Sequence, residues 1–301
     1  MSFIELDPRF FSDTELTFEE RERKPRIIMA NDGRDKSGKS DFCYDAPDPI
    51  AVLSFDFGDE DVVQKYQELG RKIHIADLKW ELPAHLHSVK GEGLAEWMNK
   101  NVWQPFVYTT NKIIDSGMFR TVVVDKATEA WQVCRLAVFG RLATNRQDLQ
   151  TQANANWREY VRKFNACEKP INLHLIHEQR EEWVSKSVQG KDGPEEKWYK
   201  SGAWVRDGNE KVPFLVPYTL EHRYVKSERH PVLNDRIIKP ARFEVEVMVA
   251  RGRPEQVGTI HRVGELDVEK GALERRMGWL DVVSSLRPEI PLEAWGHANL
   301  R

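Results

Sequence analysis

A glycine-bearing loop that directly follows a short apolar run constrains the fold of this chain more than any other feature. After the run Arg26–Ala30 comes a match to the pattern G-x-x-x-x-G-K-[ST], which reads Gly33-Arg34-Asp35-Lys36-Ser37-Gly38-Lys39-Ser40. Glycines at these places let the backbone curl so that successive N–H groups point inward at phosphate oxygens. A strand before the loop and a helix start after it predict a P-loop, also called Walker A, that binds a nucleotide.

The side chains of this loop predict ATP and Mg²⁺ as ligands. Lys39 brings a positive charge to the β- and γ-phosphates, and the Ser40 hydroxyl offers an oxygen to the metal ion. The positive end of the helix that begins at Gly38 adds to this attraction. Pro47 and Pro49 keep that helix to about two turns, because proline disfavours helix continuation. The predicted cofactor-binding residues are Gly33, Arg34, Asp35, Lys36, Ser37, Gly38, Lys39, Ser40 and Asp41.

An acidic residue at the end of a later apolar run predicts the second protein ligand of Mg²⁺. Asp125 follows Thr121–Val124, a run that is β-branched, continuous and too short for a helix. Mg²⁺ prefers oxygen ligands, and a carboxylate at the tip of a hydrophobic strand is a common one. The alternative is that Asp125 caps the helix predicted over Ala127–Phe139. We favour a metal site made of Ser40 and Asp125.

Three residues are predicted to take part in catalysis: Lys39, Asp56 and His177. Asp56 ends the apolar run Ala51–Phe55 and is the first candidate for polarising the attacking water. Other candidates for this role are Asp59, Glu60 and Glu129. The first two also suit the solvated start of a helix. His177 ends the run Pro170–Ile176, where a polar side chain can contact the γ-phosphate.

Short apolar runs alternate with helical patterns between residues 25 and 183. This alternation predicts an α/β fold with a mostly parallel sheet and helices on both faces. Runs that are apolar throughout fit strands buried on both faces. Predicted strands lie at 26–30, 49–55, 74–76, 119–125 and 170–177, and predicted helices at 40–46, 61–69, 93–116, 127–139 and 153–167.

The flanking segments differ in character from this core. Residues 1–24 are polar and are predicted to be an N-terminal arm, ordered in part by a neighbouring subunit, or a loose tail. Residues 184–301 are predicted to be a β-rich C-terminal extension packed on the core. In it we expect a hairpin or mobile loop over 187–208, strands at 214–216 and 243–249, and a final helix at 273–286.

The composition allows a buried core and predicts no membrane span. Apolar residues make up 40% and charged residues 31%, and no stretch approaches the roughly 20 apolar residues that a span needs. The N-terminus lacks the basic start and apolar run of a secretory signal. Cys43, Cys134 and Cys167 form no Cys-x-x-Cys pair, so we expect reduced thiols and a cytoplasmic location. The net charge of -3 neither requires nor excludes nucleic acid as a partner.

The order of these parts resembles the phage RecA-like ATPases, small P-loop proteins of bacteriophage recombination modules that are related to single-strand annealing proteins. The similar stretch runs from about Pro25 to Trp183. Its motifs are Gly33–Ser40, Val52–Gly58, Val122–Thr128 and Asn172–Glu178. The resemblance implies a RecA-like P-loop core, ATP with Mg²⁺, and DNA-directed work in oligomers. By position it implies phosphate and metal roles for Lys39 and Ser40, a metal carboxylate at Asp125 and a sensor at His177.

Two positions depart from the family pattern. Asp56 stands where the family usually carries the longer glutamate, and Lys126 follows Asp125 where a small polar residue is commoner. These departures bear on the rate of hydrolysis rather than on nucleotide binding. The predicted function is therefore ATP binding and hydrolysis by a phage-type protein in the host cytoplasm. It would act on DNA in recombination or single-strand annealing, as a homo-oligomeric ring or filament.

Two other functions remain open. A small-molecule (nucleotide) kinase would need an arginine-rich lid over the phosphates, for which Arg251–Arg253 is the only weak candidate. A non-catalytic assembly protein would hold a nucleotide structurally. For an ATPase, an arginine from a neighbouring subunit could reach the γ-phosphate. The candidates are Arg141, Arg146, Arg180 and Arg251.

Aromatic and basic residues are interleaved after residue 184. Trp198, Tyr199 and Trp204 could stack on the bases of single-stranded DNA, or the tryptophans could pack on the core of the protein. The basic residues among them are Lys186, Lys191, Lys197, Lys200 and Arg206.

Overall fold

The computed structural model describes residues 25–55, 59–142, 146–190, 193–229, 237–267 and 272–296. These residues form a mixed α/β fold around one large sheet. The strands are β1 (Ile28–Gly33), β2 (Ile50–Ser54), β3 (Ile73–Asp77), β4 (Thr121–Asp125), β5 (Asn172–Gly190), β6 (Gly193–Arg206), β7 (Tyr218–Val225), β8 (Glu228–Arg229), β9 (Ile237–Lys239), β10 (Arg242–Ala250), β11 (Ile260–Asp267) and β12 (Ala272–Arg275). Strands β8 and β9 pair with each other outside the large sheet.

Six strands of the large sheet run parallel, in the order β7-β1-β5-β4-β2-β3. The prediction of a mostly parallel sheet is confirmed. Since the carboxyl ends of parallel strands share one edge of the sheet, the loops after β1, β4 and β2 open on the same side. The order of the strands puts β5 between β1 and β4.

Strands from the C-terminal part of the chain continue this sheet beyond β1. β7 pairs with β1 in parallel, and β10, β11 and β12 then add as antiparallel strands. The predicted strand at 243–249 is thus an interior strand of the large sheet. Its alternation of polar and apolar residues fits a strand with one covered and one wetter face.

Helices cover both faces of the sheet. They are α1 (Lys39–Tyr44), α2 (Asp59–Glu68), α3 (Glu92–Met98), α4 (Gln104–Ser116), α5 (Ala127–Phe139), α6 (Gln147–Ala166) and α7 (Trp279–Leu286). A π-helical segment, Asn99–Trp103, joins α3 to α4. Ile28 and Ala30 of β1 face a core that includes α3 to α6, whereas Met29 faces a second core with α1, α2 and α7. No helix among the described residues is both long enough and apolar enough to cross a lipid bilayer.

A long antiparallel hairpin projects from the sheet. β5 continues past its parallel pairing with β1 and then pairs with β6, from Gln179 opposite Arg206 to Gly190 opposite Gly193. Of the two alternatives that the sequence left open for 187–208, the described residues form the hairpin.

One predicted strand in the C-terminal part was wrong. Phe214–Val216 is not a strand; Val212–Phe214 is a 3-10 turn, and the strand begins at Tyr218. Pro213 and Pro217 explain this, because proline cannot donate a ladder hydrogen bond.

The final helix is also shorter than predicted. It begins at Trp279, because Gly278 before it is extended and the Trp279 N–H donates to Asp45 Oδ2 at 2.8 Å. The residues at 272–275 form β12. The predicted N-terminal arm, residues 1–24, lies outside the described residues.

Candidate functional site

The carboxyl edge of the parallel strands borders a cavity of about 950 Å³. We call residues Gly33–Ser40 the 33–40 loop. Asp35 to Ser40 of this loop and Asp41 line the cavity, together with Asp125 at the end of β4 and Glu178 on β5. The sheet therefore brings residues from three separate parts of the sequence to one place.

The backbone of the 33–40 loop requires glycine at two positions. Gly38 has φ of +85°, a left-handed conformation that glycine adopts without steric cost. A Cβ on Gly33 would lie 2.5 Å from Ser37 Oγ and 2.7 Å from the His222 carbonyl oxygen. Lys36 also has a positive φ, of 56°. The loop thus has the tight curl that the sequence pattern predicts.

The Lys39 side chain folds along the inside of the loop. Its Nζ donates to the carbonyl oxygens of Gly33 at 2.8 Å and Arg34 at 2.7 Å. Burial lowers the pKa of Lys39, while the carboxylates of Glu178 and Asp125 act in the opposite direction. A lysine ammonium that lines a cavity can bind an anion with several oxygens through charge-assisted hydrogen bonds.

Ser40 and Asp125 meet at the base of the loop. Ser40 Oγ donates to Asp125 Oδ2 at 3.1 Å, and the Tyr44 hydroxyl donates to the same oxygen at 2.8 Å. Lys126, rather than Asp125, is the N-cap residue of α5, and α5 has no side-chain capping bond. The helix-cap alternative for Asp125 is therefore not what the structure shows.

The side-chain oxygens of Ser40 and Asp125 fit a Mg²⁺ site in which the protein supplies only a few of the ligands. Mg²⁺ keeps several waters and is usually bound through one or two carboxylates plus substrate phosphates. Within the described part of the chain, no group of three or more His, Cys, Asp or Glu side chains could hold a metal ion. A metal ion here would therefore depend on phosphate oxygens and water for its remaining ligands.

Two predicted binding residues of the loop do not line the cavity. Gly33 ends β1, and the Arg34 guanidinium lies 3.8 Å from the centre of the Trp204 ring, at the base of the hairpin. Asp41 does line the cavity and also pairs with Lys65 at 2.8 Å.

The predicted catalytic residues have different positions. Lys39 lines the cavity. Asp56 lies outside the described residues. His177 is fully buried, and Gly208 lies so close to its ring that a Cβ on Gly208 would be 3.2 Å from His177 Nδ1. Burial and the nearby cations Arg206 and Lys39 hold the pKa of His177 well below its usual value. His177 is not among the residues that line the cavity, so its contact with a γ-phosphate stays a prediction.

Sequence reasoning gave no role to Glu178 and Lys126, which are among the charged residues that line the cavity. Glu178 follows His177 and pairs with Gly33 in the register of β5 and β1. Lys126 follows Asp125, and its Nζ lies 3.7 Å from Glu178 Oε1. The sequence did contain a hint of both residues, because each is next to a residue that was predicted to belong to the site. Only the alternation of side chains along β5 shows that Glu178, and not His177, faces the cavity.

A chain of buried polar groups lies beneath the 33–40 loop. Trp279 Nε1–H donates to His174 Nε2 at 3.0 Å, and Asn31 bridges His174 Nδ1, at 3.2 Å, and His222 Nε2, at 3.0 Å. Burial lowers the pKa of both histidines to about 3, so both are neutral. Since Trp279 uses His174 Nε2 as an acceptor, the proton of neutral His174 is on Nδ1, which faces the side-chain amide of Asn31. Asn31 Oδ1 lies 3.0 Å from His222 Nε2.

Part of the cavity lining comes from elements that are distant in sequence from the 33–40 loop. It includes Val62 and Leu69 as well as Phe243, Val263 and Met277. Phe243 approaches Gly38 so closely that a Cβ there would lie 3.1 Å from the Phe243 ring. The C-terminal part of the chain therefore forms part of the cavity next to the 33–40 loop. No local sequence pattern links Phe243 to a glycine some two hundred positions earlier.

Comparison with known proteins gave no assignment. No protein-family model matches the chain, and no curated protein matches it at a significant level.

Proposed function

We propose that this chain binds ATP with Mg²⁺ in the cavity beside the 33–40 loop and hydrolyses it. The observation that carries the proposal is the 3.1 Å hydrogen bond from Ser40 to Asp125, beside the Lys39 ammonium of a tightly curled glycine loop. A hydroxyl and a carboxylate in contact, next to a lysine of a curled glycine loop, suit the binding of a metal-bound triphosphate.

Each of these residues has a chemical task in the proposed reaction. Backbone N–H groups of the loop and Lys39 bind the β- and γ-phosphate oxygens. Ser40 and Asp125 hold the metal ion, which neutralises charge on the phosphates. A carboxylate orients the attacking water. Asp56 remains the candidate from the sequence for that last task, and Glu178 is a second one because it lines the cavity.

Turnover and binding assays test this part of the proposal. Purified protein should bind a fluorescent ATP analogue only with Mg²⁺ present and should release phosphate, and Lys39→Ala should lose both properties. Near-zero turnover in both proteins, with binding retained in the wild type, would favour the non-catalytic assembly protein. Phosphate transfer to a nucleoside would favour the kinase. Arg253 gives the kinase little support, because it pairs with Glu289 at 2.6 Å and does not line the cavity.

We further propose that the protein acts on single-stranded DNA as an oligomer of phage recombination type, in the cytoplasm of the host. The β5–β6 hairpin supports the DNA part. Trp183, Trp198 and Tyr199 are exposed at 49%, 62% and 43%, and exposed aromatics can stack on bases of any sequence. Lys186 and Lys197 are directly opposite each other in the hairpin. Like charges in this position repel, and a bound phosphate backbone would relieve the repulsion.

The hairpin is also connected to the 33–40 loop. Trp204 of β6 lies under the Arg34 guanidinium, and Arg206 forms two hydrogen bonds with Asp32, of 2.8 and 2.6 Å. Trp204 is therefore engaged with the loop, which leaves Trp198 and Tyr199 as the predicted stacking residues. A change at the loop on nucleotide binding has a direct physical route to the base of the hairpin.

Fluorescence anisotropy with a labelled oligonucleotide tests the DNA part. We expect ATP to change the affinity for single-stranded DNA at moderate salt, and Trp198→Ala to weaken binding about fivefold or more. Tyr108→Ala is a matched control, because Tyr108 is also 62% exposed and lies 5.3 Å from a lysine, Lys112, on α4. Equal effects of the two substitutions, or no ATP dependence, would exclude this role of the hairpin.

A further inference from the structure

Lys126 has an unusual backbone for a residue other than glycine. Its φ is 58°, in the left-handed region, which costs energy when a side chain is present. Contacts on both sides hold this conformation. The Lys126 N–H donates to Asp125 Oδ1 at 3.0 Å, and its carbonyl oxygen accepts from the N–H groups of Glu129 at 2.8 Å and Ala130 at 3.1 Å. The start of α5 and the carboxylate of Asp125 therefore fix the place from which the Lys126 side chain extends.

The Lys126 side chain lines the same cavity as the 33–40 loop. Its Nζ lies 3.7 Å from Glu178 Oε1, and the Lys126 side chain is 34% exposed. Glu178 is paired with Gly33 in the sheet and acts electrostatically on Lys39. A single carboxylate thus offsets part of the charge of two lysines that line the same cavity.

We propose that Lys126 is a second cationic contact of the terminal phosphate of a nucleoside triphosphate, supplied by the same chain. This inference rests on the proposed function. When a triphosphate binds, its terminal phosphate competes with Glu178 for Lys126, because a phosphate carries more charge than one carboxylate. Of the two lysines, Lys39 serves both di- and triphosphates, whereas Lys126 distinguishes them.

If Lys126 contacts the terminal phosphate from within the chain, an arginine from a neighbouring subunit is not needed for that contact. Arg146 is paired with Asp148 at 2.6 Å and Arg180 lies 3.7 Å from Asp207. Neither is among the described residues that line the cavity. Lys126, the residue next to Asp125, lines the cavity from the same chain. A positive charge at the terminal phosphate therefore does not require a residue from a second subunit, although an oligomer would still serve DNA binding.

Equilibrium binding of two nucleotides tests the role of Lys126. The affinities for a non-hydrolysable ATP analogue and for ADP are measured with Mg²⁺ by calorimetry, for the wild type, Lys126→Met and Lys126→Arg. We expect Lys126→Met to weaken triphosphate binding about tenfold and to change ADP binding less than about twofold. Lys126→Arg, which keeps the charge, should retain most of the preference. An unchanged ratio of the two affinities in Lys126→Met would overturn the inference.

Lys79→Met is the matched control. Lys79 follows β3 at the same edge of the sheet, and its Nζ is 3.6 Å from Asp77 Oδ2, but it does not line the cavity. If Lys126→Met does not fold by circular dichroism, Glu178→Gln takes its place. Removing the competing carboxylate should raise triphosphate affinity relative to ADP, and no rise would count against the inference. If the wild type binds neither nucleotide, the proposed function fails as well. If it binds both and the ratio does not respond, only the role of Lys126 fails.

Discussion

The hydroxyl of Ser40 donates a 3.1 Å hydrogen bond to Asp125, although 85 positions separate the two residues in the chain. Strand β4, which ends in Asp125, lies two places from β1 in the sheet, with β5 between them. The contact is made possible by α1, which turns back from the 33–40 loop and carries both Ser40 and Tyr44 toward the end of β4. It also gives the proposed metal site its first testable consequence.

Replacing Asp125 by asparagine should separate metal binding from folding. Asparagine keeps the size of the side chain and can still accept from Ser40 and Tyr44, but it carries no charge. We expect Mg²⁺-dependent affinity for ATP to fall by at least about tenfold, with a small change in melting temperature. A titration of Mg²⁺ at fixed nucleotide measures this. Asp77→Asn, at the end of β3, is the control, and an unaltered Mg²⁺ dependence in Asp125→Asn would rule out the metal site.

Gly38→Ala should damage the loop through both its backbone and its neighbour. A non-glycine residue in the left-handed region costs about 1–2 kcal/mol, and the added Cβ would lie 3.1 Å from the Phe243 ring. We expect lower stability in urea and weaker nucleotide binding. Gly70→Ala provides the comparison, because Gly70 has a similar φ of +81° with nothing within 4 Å of an added Cβ. It should lose stability alone. Normal nucleotide binding in Gly38→Ala would show that the Phe243 ring can move aside without disturbing the nucleotide site.

The buried histidines predict a loss of stability in mild acid. Burial lowers the pKa of His174 and His222 to about 3 in the folded protein, whereas the unfolded chain binds these protons near pH 6.5. The unfolded state therefore gains protons first as the pH falls below about 6.5, and the folded state loses stability down to about pH 3. Between pH 7 and 5 each histidine accounts for about 2 kcal/mol.

Urea unfolding at several pH values tests this dependence. His222→Gln should reduce the loss of unfolding free energy between pH 7 and 5 by about 2 kcal/mol relative to the wild type. His85, an exposed residue of the 3-10 turn Ala84–Leu86, is replaced in the same way and serves as the comparison. A slope in His222→Gln equal to that of the wild type would mean that His222 is protonated in the folded state.

Replacing only one partner of the ion pair between Asp32 and Arg206 should lower the free energy of unfolding substantially. Both side chains are nearly buried, at 11% and 8% exposure. Burial raises the pKa of Asp32 even though Arg206 opposes this. Arg206→Met leaves the carboxylate without its cation, and breaking such a pair typically costs about 3–5 kcal/mol.

The double variant Asp32→Asn with Arg206→Met should recover part of that loss, because neither charge is then left alone. Chemical unfolding of the single and double variants gives the coupling between the two residues. A cost of less than about 1 kcal/mol for Arg206→Met would indicate that water reaches Asp32 readily.

Much of the core architecture follows from short-range patterns. Apolar runs of five to seven residues gave β1, β2, β4 and the start of β5, and the helix Ala127–Phe139 has the predicted bounds. The prolines after Tyr44 end α1 as expected. Such features depend on residues that are near one another in sequence, where backbone sterics and periodicity decide the outcome. Strand β11 and the start of α7 were not found, because their limits are set by pairing with other parts of the chain.

What the sequence determined by itself is the 33–40 loop: its glycines, its lysine, its serine and the short helix after it. Only the tertiary structure decided which residues surround that loop. It put Glu178 in the cavity and buried His177, it brought Lys126 to 3.7 Å from Glu178, and it used Phe243 as a wall. The physical reason is that a local pattern fixes the conformation of a segment, whereas the order of strands in the sheet fixes its neighbours. That order depends on the packing of the whole core and not on any one segment.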